Sequence, residues 1–390
     1  MPIAVTYSTD ASIEQILRKG SFDQIKLDVE SYTSFEPVLL ITQDTQDYSK
    51  FFDGVRHFPC GIWTSSPLRW LFYFVKGFIA LSLLGRNIRV VRGYGVGCPH
   101  AAIFSRIFRV PLVVSYEYDW SEEMLMVGRR TAGAFAKIVE GVVLRFSTVT
   151  LVPSETLERK ARRKGAKSTV IISNGVDLSS IPFMSSDEKR RLSESYGIRG
   201  RNVVMYAGRL HRIKRVGDLI EAVHILKNRG GNAVLLIVGD GVERDRLERV
   251  VAEKGLTNDV IFTGFVSRDQ VLKLMQIADV FVLPSLMEGN PRVLMEAMVC
   301  RTPIVGTNVC GIRDMIENGR NGLLVEARSP TILANALESI IVRKDLAETL
   351  AGNAYEDAVK FYDWKVVRDG NLNLIRSVAS KAPLGSAGMR

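Results

Sequence analysis

Two acidic and two basic side chains in the second half of the chain have the chemistry to act on a phosphorylated ligand. Glu288 and Glu296 are eight positions apart, and Arg209 and Lys214 are five positions apart. Arginine and lysine can stabilise negative charge that develops on a departing phosphate group. A carboxylate within an apolar helix is costly to bury unless it finds donors, and a pair of ligand hydroxyl groups would supply them. These four residues form the candidate site.

Each of the four residues also has a plainer interpretation. Glu296 could point to solvent from a half-exposed helix, and Glu288 could be an ordinary turn residue. Arg209 and Lys214 could belong to a solvated basic loop, because positions 211–215 read His-Arg-Ile-Lys-Arg. Residue types and spacing alone leave both interpretations open.

The elements around the glutamates are predicted to place them at the edge of a parallel sheet. A strand ends at Pro284, Asn290 is the candidate N-cap of the next helix, and Pro291 is its candidate first residue. Ligands bind at the carboxyl edge of open α/β sheets, and helix N-termini favour anions. Glu296 then falls between one and two turns into the helix.

Short apolar runs alternate with helical stretches along the chain. In the second half, strands are predicted at 202–207, 233–238, 260–263, 280–283, 303–305 and 322–325. Helices are predicted there at 218–228, 244–254, 268–277, from 291, at 312–316 and at 331–343. The first half is less regular, with strands at 37–42, 88–91, 110–116 and 148–152, helices at 101–108 and 131–144, and no clear assignment for 1–35. This alternation indicates βαβ units and parallel sheets.

Composition narrows the class of protein. The chain has 390 residues, 46% apolar and 24% charged, which is ordinary for a globular protein and suggests two or three domains. Four cysteines without a CxxC pair and four histidines without HxxxH spacing argue against a disulfide scaffold or a metal site. The net charge of +10 suits anionic partners, but no nucleic-acid-binding motif is present. The cysteine pattern fits a reducing, cytoplasmic location, which could be peripheral on the inner face of the membrane, and the N-terminus lacks signal-peptide features.

One segment, 68–84, could touch a membrane. It reads LRWLFYFVKGFIALSLL and contains two cations. A spanning helix needs about 20 mostly apolar residues, so the segment is short for that role. A buried core helix and a helix lying on an anionic membrane surface both remain open. The basic stretch 158–167 could be a solvated helix face or could add to such a surface.

Together with its surroundings, the pair of glutamates resembles a known signature. Glu288-x7-Glu296, preceded by Leu-Pro-Ser and followed by Ala-Met, is similar to the E-x7-E motif of retaining family-4 glycosyltransferases with the GT-B fold. Further segments resemble that family's motifs in order: 152–154, 172–177, Gly208-Arg209-Leu210 with Lys214, Gly239-Asp240-Gly241, 262–266, 306–311, 318–322 and 361–364. The resemblance covers about residues 150–365 well and residues 1–150 poorly.

The resemblance implies two Rossmann-like α/β domains with parallel sheets facing across a cleft. It implies retaining, metal-independent transfer of a hexosyl group from a nucleotide-diphosphate sugar to a hydroxyl acceptor, without a cofactor. The acceptor could be lipid-linked or a growing glycan. Residues 1–190 would bind the acceptor and 191–361 the donor, with a return to the first domain at about 362–380 and a loose tail at 381–390.

The resemblance also implies roles for individual positions. Glu288 would contact the donor sugar near the reaction centre, while Arg209 and Lys214 would stabilise the departing diphosphate. Glu296 would bind the ribose hydroxyl groups, and Val266 would lie beside the base. The remaining donor-binding positions are Gly208, Gly289, Asn290, Arg292 and Val293. Whether the reaction passes through a short-lived ion pair or a covalent intermediate stays open.

The sequence departs from the family pattern at three places. Residues 1–35 lack the paired glycines that many relatives have there. Glu117 stands where relatives often have a histidine facing the reacting sugar, so it could serve the acceptor side or be an exposed strand end. Arg292 replaces a small or apolar residue and could contact either phosphate or solvent.

Two other classes of protein remain as alternatives. Gly93, Gly95 and Gly97 follow a predicted strand and precede Glu117, which mimics the dinucleotide fingerprint of an NAD-dependent dehydrogenase. However, Cys98 stands in place of the third glycine of that fingerprint. A nucleotide-sugar epimerase, or a noncatalytic nucleotide-sugar-binding protein on the same fold, is the other alternative.

Overall fold

Runs of valine, isoleucine and leucine form the strands of two parallel sheets, one in each half of the chain. The computed structural model describes residues 1–7, 13, 22–61 and 69–381. The chain divides into two units. One comprises Met1–Ser173 and the segment from Val367 onward, and the other is Asn174–Val366.

The first unit contains a seven-stranded sheet. Its strands are β1 (Ile3–Tyr7), β2 (Val38–Thr42), β3 (Val55–Pro59), β4 (Val90–Tyr94), β5 (Leu112–Ser115), β6 (Val149–Val152) and β7 (Thr169–Ile171). They lie in the order β3-β2-β1-β4-β5-β6-β7, and their pairings are parallel. The helices between them are α1 (Phe22–Ser31), α2 (Arg69–Leu84), α3 (Pro99–Phe108), α4 (Trp120–Met126), α5 (Arg130–Phe146) and α6 (Glu155–Arg163).

The second unit contains a six-stranded sheet. Its strands are β8 (Asn202–Ala207), β9 (Ala233–Val238), β10 (Val260–Gly264), β11 (Val280–Leu283), β12 (Ile304–Thr307) and β13 (Leu323–Val325). They lie in the order β10-β9-β8-β11-β12-β13, again in parallel pairs. The helices of this unit are α7 (Ser186–Ser195), α8 (Val216–Asn228), α9 (Arg244–Glu253), α10 (Arg268–Met275), α11 (Arg292–Val299), α12 (Pro330–Val342) and α13 (Lys344–Phe361). The predicted fold class of two α/β domains with parallel sheets is confirmed.

The last described helix, α14 (Trp364–Lys381), carries the chain back to the first unit. Its Ile375, Val378 and Ala379 belong to the core of that unit. Arg89 Nε donates to the carbonyl oxygen of Ala379 at 3.3 Å. The first unit therefore depends on residues from both ends of the chain.

The structural division falls earlier than the boundary that the sequence analysis placed after residue 190. Residues just after Ser173 are already held by the second unit. Val176 N donates to the Tyr362 carbonyl oxygen at 2.8 Å, and Met184 N donates to Gln276 Oε1 at 3.1 Å. The polar stretch 184–200 instead includes α7, whose start is fixed by a capping box between Ser185 and Glu188.

In both sheets the strand order reverses beside the first strand, so that strands lie on both sides of it. In the first unit β1 lies between β2 and β4, and in the second unit β8 lies between β9 and β11. At such a switch point the connections leave in opposite directions and open a crevice at the carboxyl ends of the two central strands. Ligands of open α/β sheets bind in that crevice.

The helix predicted at 312–316 is wrong. The chain makes a single turn there, in which Ile316 N donates to the Ile312 carbonyl oxygen at 2.9 Å. The turn ends because the Asn321 side chain takes over the next hydrogen bonds. Its Oδ1 accepts from Glu317 N at 2.8 Å, and its Nδ2 donates to the Met315 carbonyl oxygen at 3.1 Å.

Two sequence predictions fall partly outside the described residues. Leu68 of the apolar segment and residues 382–390 of the predicted tail are not among them. The rest of the apolar segment forms α2. None of the described helices combines the length and the apolar character that a membrane-spanning segment requires.

Candidate active site

Lys214 and Glu288 form an ion pair at the carboxyl ends of β8 and β11. Lys214 Nζ donates to Glu288 Oε1 at 2.6 Å. Lys214 closes a short turn, Arg212–Lys214, after β8, and Glu288 lies in the loop after β11. The two loops are joined because Leu286 N donates to the Ile213 carbonyl oxygen at 2.8 Å. Both side chains are largely enclosed, unlike those of a solvated basic loop or an ordinary turn.

Neighbouring strand ends orient the Glu288 carboxylate. Ser285 Oγ donates to Oε1 of Glu288 at 2.6 Å. Ser285 is buried, and its carbonyl oxygen accepts from Thr307 Oγ1, at the end of β12, at 2.5 Å. Within the described part of the chain, no donor reaches the second oxygen, Oε2. Glu288 therefore has one oxygen fixed by two donors and one oxygen open to a ligand.

Arg209 lies near this pair without joining it. Gly208 and Arg209 are exposed, and the Arg209 guanidinium has no hydrogen-bond partner among the residues that the structure describes. The Arg209 carbonyl oxygen accepts from Tyr206 Oη at 2.9 Å. Burial, together with the nearby Glu288 carboxylate, raises the pKa of Tyr206, so this phenol remains a donor. The backbone of Arg209 is held while its cation stays available to a ligand.

Glycines allow the loops around the pair to pack backbone against backbone. Gly239, with φ +126°, is so close to the loop after β8 that a Cβ atom would lie 2.1 Å from the Gly208 carbonyl oxygen. Gly311, with φ +84°, would place a Cβ atom 2.6 Å from the carbonyl oxygens of Glu288 and Gly289. Residues with a side chain rarely adopt such φ values. These glycines therefore fix the loops that carry Arg209 and Glu288.

Glu296 is buried and has a partner that the sequence analysis did not predict. Arg268 Nε, in the first turn of α10, donates to Glu296 Oε1 at 2.8 Å. Arg268 Nη1 donates to Ser180 Oγ at 3.2 Å, whereas its buried Nη2 has no hydrogen-bond partner among the described residues. The solvent-facing interpretation of Glu296 is wrong, because only 9% of the residue is exposed.

The helix that carries Glu296 begins one residue later than predicted. Pro291 has ψ 108° and is the N-cap, so Arg292 is the first helical residue of α11. The prediction of Asn290 as the N-cap is wrong, because the backbone is still extended at Pro291. The Asn290 carbonyl oxygen instead accepts from Asn174 Nδ2 at 3.2 Å.

The other predicted donor positions border these groups. They are half-buried residues of the loop before α11, of its first turn, and of the segment after β10. These positions are Gly289, Asn290, Arg292, Val293 and Val266. The second unit thus brings Lys214 and Glu288 into direct contact and places the remaining positions on the loops at the same sheet edge and on α11.

A second polar cluster lies at the switch point of the first sheet. Tyr7 ends β1 and Tyr94 ends the neighbouring β4, and their rings stack with centroids 4.7 Å apart. Tyr94 Oη donates to Asp28 Oδ2 of α1, and Tyr32 Oη lies 3.2 Å from Tyr94 Oη. The Arg92 guanidinium lies over the Tyr94 ring at 4.2 Å.

Three buried atoms of this cluster have no hydrogen-bond partner within the described ranges: Tyr7 Oη, Asp28 Oδ1 and Arg92 Nε. Burial raises the pKa of Asp28 to about 6, with Arg92 acting to lower it and Glu117 to raise it. Glu117 is exposed and follows β5. The cluster offers a carboxyl group, a cation and a phenol to a polar ligand.

Four residues of these two clusters were not predicted from the sequence: Arg268, Asp28, Tyr7 and Arg92. Asp28 and Tyr7 lie in residues 1–35, which showed no clear pattern. Arg92 carried a signal, because a cation directly after the apolar pair Val90-Val91 of a predicted strand is unusual in a buried strand. Arg268 carried no such signal in the sequence, because its partner, Glu296, lies on another helix.

The geometry is accompanied by similarity to known proteins. Residues 188–357, which include both glutamates, Arg209 and Lys214, match the family model described as glycosyl transferases, group 1. This match lies within the second unit.

Relatives found by sequence are named as enzymes that transfer a sugar group. The chain is 29% identical over 323 residues to alpha-D-kanosaminyltransferase of Streptomyces kanamyceticus, covering 82% of this chain and 81% of that protein. It is 30% identical over 247 residues to 2-deoxystreptamine N-acetyl-D-glucosaminyltransferase of Streptomyces fradiae, covering 63% of this chain and 58% of that protein. These relatives are glycosyltransferases.

Solved structures extend the likeness to both units of the chain. HepE of Anabaena, in complex with UDP, has a TM-score of 0.78 at 21% identity, covering 97% of this chain and 100% of that chain. Sucrose-phosphate synthase from Thermosynechococcus elongatus has a TM-score of 0.80 at 21% identity, covering 97% and 99%. The two parallel-sheet α/β domains are structurally similar to these GT-B glycosyltransferases.

Proposed function

We propose that the protein is a retaining family-4 glycosyltransferase that moves a hexosyl group from a nucleotide-diphosphate sugar to a hydroxyl acceptor. The observation that carries the proposal is the Lys214–Glu288 pair at the carboxyl edge of the second sheet, with the exposed Arg209 nearby. The family match over residues 188–357 supports it. So do the structures of HepE with UDP and with UDP-glucose, which favour a uridine diphosphate sugar as the first donor to test.

The cations would act on the leaving group. In the transfer, the bond between the anomeric carbon and a diphosphate oxygen breaks, and its electron pair stays with the diphosphate. Lys214 and Arg209 would stabilise that charge without a metal ion. The bond to Glu288 positions the Lys214 ammonium before the donor arrives, and the N-terminus of α11 adds aligned backbone dipoles.

Glu288 would contact the donor sugar and would not attack it. One of its oxygens already accepts from Lys214 and Ser285, and a nucleophile would weaken both bonds as its charge disappeared. The other oxygen can accept from a sugar hydroxyl. The acceptor oxygen would then bond to the anomeric carbon of a short-lived ion pair, on the face that the diphosphate leaves. Its proton would pass to the departing phosphate oxygen.

Glu296 would bind the ribose hydroxyl groups of the donor. Its buried position and its ion pair with Arg268 support a carboxylate that is oriented before binding. Val266 would lie beside the base. Backbone and side chains of the remaining positions would line the sugar and the diphosphate, namely Gly208, Gly289, Asn290, Arg292 and Val293.

The acceptor would bind to the first unit. Its polar cluster contains three buried groups that can still form hydrogen bonds, on Tyr7, Asp28 and Arg92, and Glu117 lies within electrostatic reach of Asp28. A growing glycan or the sugar of a lipid-linked acceptor would supply hydroxyl groups to them. A lipid-linked acceptor would require a cytoplasmic protein to work as a peripheral protein on the inner face of the membrane.

A donor screen followed by product analysis tests the proposal. Thermal shift with a panel of nucleotide sugars should reveal stabilising donors. Nuclear magnetic resonance of the product formed with an acceptor, or with water, should show the donor's anomeric configuration. An inverted product would contradict retention. An epimerase would instead return a nucleotide sugar with an altered sugar, and a dehydrogenase would bind NADH.

A further inference from the structure

Helix α2 is apolar on two opposite sides. Tyr73 and Leu81 are buried against the first unit, and Tyr73 Oη donates to the Tyr7 carbonyl oxygen at 2.7 Å. The other side of the helix faces solvent. Its exposed apolar residues are Leu71, Phe72, Val75, Ile79 and Leu83. A surface helix of a soluble protein normally carries polar residues on that side.

The exposed apolar surface continues onto two neighbouring helices. α2 packs beside α3, and α3 packs beside α5. Ile103 and Ile107 of α3 and Phe135 and Ile138 of α5 are exposed, with 59% of Ile107 and 66% of Ile138 open to solvent. These four residues and the five of α2 are called the apolar face. Single exposed apolar residues are common, but a set on adjacent helices marks an interaction site.

The exposed charges of these three helices have one sign. Lys76, Arg106, Lys137 and Arg145 are exposed and lie next to residues of the apolar face or one turn away. Within the described ranges these cations form no ion pair. The single acidic residue of the three helices, Glu140, is buried and accepts from Lys164 Nζ at 2.5 Å.

The basic stretch 158–167 differs from this face, because several of its cations are already paired. Lys160 pairs with Glu122, and Lys164 pairs with Glu140 and with Asp119. Paired cations have less charge to offer to an external anion. On α2, α3 and α5 the exposed cations Lys76, Arg106, Lys137 and Arg145 are interleaved with exposed apolar side chains.

We propose that the apolar face docks on the surface of a lipid bilayer that contains anionic headgroups. Its side chains would enter the boundary between headgroups and acyl chains, and the interleaved cations would bind lipid phosphates. Lysine and arginine suit this arrangement because their stems are apolar and their heads reach the headgroup layer. A bilayer with anionic headgroups and an apolar interior complements a face that carries cations, apolar side chains and no exposed acid. The proposal does not depend on the transferase reaction.

Vesicle sedimentation with the full chain tests the proposal. We expect the protein to sediment with vesicles of equal parts phosphatidylcholine and phosphatidylglycerol, and to remain in solution with phosphatidylcholine alone. The triple change Arg106→Gln, Lys137→Gln and Arg145→Gln should weaken binding about five-fold per charge, or about a hundred-fold in all. The triple change Val75→Ser, Ile79→Ser and Leu83→Ser should weaken it at least about ten-fold.

A matched control removes the same charge elsewhere. Arg159→Gln, Arg163→Gln and Lys167→Gln lie in the basic stretch and should leave binding within about two-fold of the wild type. Circular dichroism should show that all variants keep the wild-type melting temperature, because the substituted residues are exposed. Loss of binding in the control alone would overturn the assignment of the face.

Three further outcomes would also overturn the proposal. One is no binding to either vesicle, and another is equal binding to both. The third is a dimer seen by analytical ultracentrifugation without lipid that dissociates in the Val75, Ile79 and Leu83 variant. That result would assign the apolar face to a second copy of the chain.

Discussion

Lys214 is expected to stabilise charge in the reaction, and its loss should leave the fold intact because Glu288 still accepts from Ser285 Oγ. Lys214→Ala should lower kcat about 100- to 1,000-fold, the usual cost of removing one group that stabilises developing negative charge. A steady-state assay with the donor found by screening measures this. The matched control is Lys227→Ala, which removes a more exposed lysine paired with Asp259 in the same unit and should keep wild-type activity. A fully active Lys214→Ala enzyme would contradict the assigned phosphate role.

The Glu296–Arg268 pair should couple donor affinity to local stability. Arg268→Ala leaves a buried carboxylate without its partner, which should lower the free energy of unfolding by about 1–3 kcal/mol and raise the KM for the donor. Glu296→Gln should raise the same KM. In the double variant the losses should be smaller than their sum, because the two side chains share one interaction. Strictly additive losses in urea unfolding and in KM would argue against the pairing.

Asp28 should give stability a recognisable pH dependence. Because burial raises the pKa of Asp28 to about 6, the folded protein keeps a proton that the unfolded chain releases at about pH 4. The native state binds more protons in that window, so the free energy of unfolding should fall as pH rises from about 4 to about 6, by up to about 3 kcal/mol. The groups that face Asp28 are the Arg92 cation, the Glu117 carboxylate and the phenols of Tyr7, Tyr32 and Tyr94.

The variant Asp28→Asn isolates this contribution. Urea unfolding at about pH 4 and about pH 7 gives the change in the free energy of unfolding between the two pH values, for the wild type and for Asp28→Asn. The difference between these two changes is the contribution of Asp28. Asp28→Asn should be less sensitive to pH across the window. Parallel pH profiles would show that Asp28 titrates as an ordinary surface acid.

Among the loops, Gly239 is the position least able to accept a side chain. A Cβ atom there would meet the Gly208 carbonyl oxygen at 2.1 Å, and φ is +126°. We expect Gly239→Ala to lower the free energy of unfolding by at least about 2 kcal/mol, because backbone must shift. Gly352→Ala is the control. It has open space inside α13 and should stabilise the protein by about 0.5–1 kcal/mol. Denaturant melts that fail to separate the two variants would refute the close approach.

Elements made of continuous apolar runs could be predicted well from the sequence. β8, β9 and β11 have the predicted bounds, because each is a buried strand whose whole length is apolar or nearly so. β1 was not predicted, although it is central in its sheet. Its IAVTY sequence is short, and the following residues gave no pattern to confirm a βαβ unit. The prediction also failed at 312–316, where the Asn321 side chain, five residues beyond Ile316, takes over the next hydrogen bonds and ends the turn.

The site residues fall into two groups for the same reason: some carry a signal in their own segment, and others depend on contacts between elements. Lys214, Glu288 and Glu296 could be singled out because each is a charged residue in a loop or helix that the sequence itself predicts. Arg268 could not, because its ion pair exists only when α10 and α11 pack together. The cluster around Asp28 depends likewise on β1, β4 and α1 meeting at one sheet edge. Interactions formed between elements leave little trace in the sequence of either element.

At the scale of the whole molecule, α14 should decide the stability of the first unit. A stop codon after Val366 would remove Ile375, Val378 and Ala379 from its core. Losing three buried apolar side chains should destabilise this unit by several kcal/mol, about 2–5 for each larger one. The second unit, Asn174–Val366, should keep its own transition. Calorimetry of the truncated chain would refute this expectation if both transitions stayed at wild-type temperatures.

The position of α14 in the sequence also affects the order in which the two units can fold during synthesis. The first 173 residues emerge early, yet the helix that completes their core is synthesised only after all of the second unit. Nascent chains should therefore carry a finished second unit beside an unfinished first one, with an apolar gap on the incomplete sheet. Chaperones that bind exposed apolar segments would have their longest opportunity there, until α14 is synthesised and fills the gap.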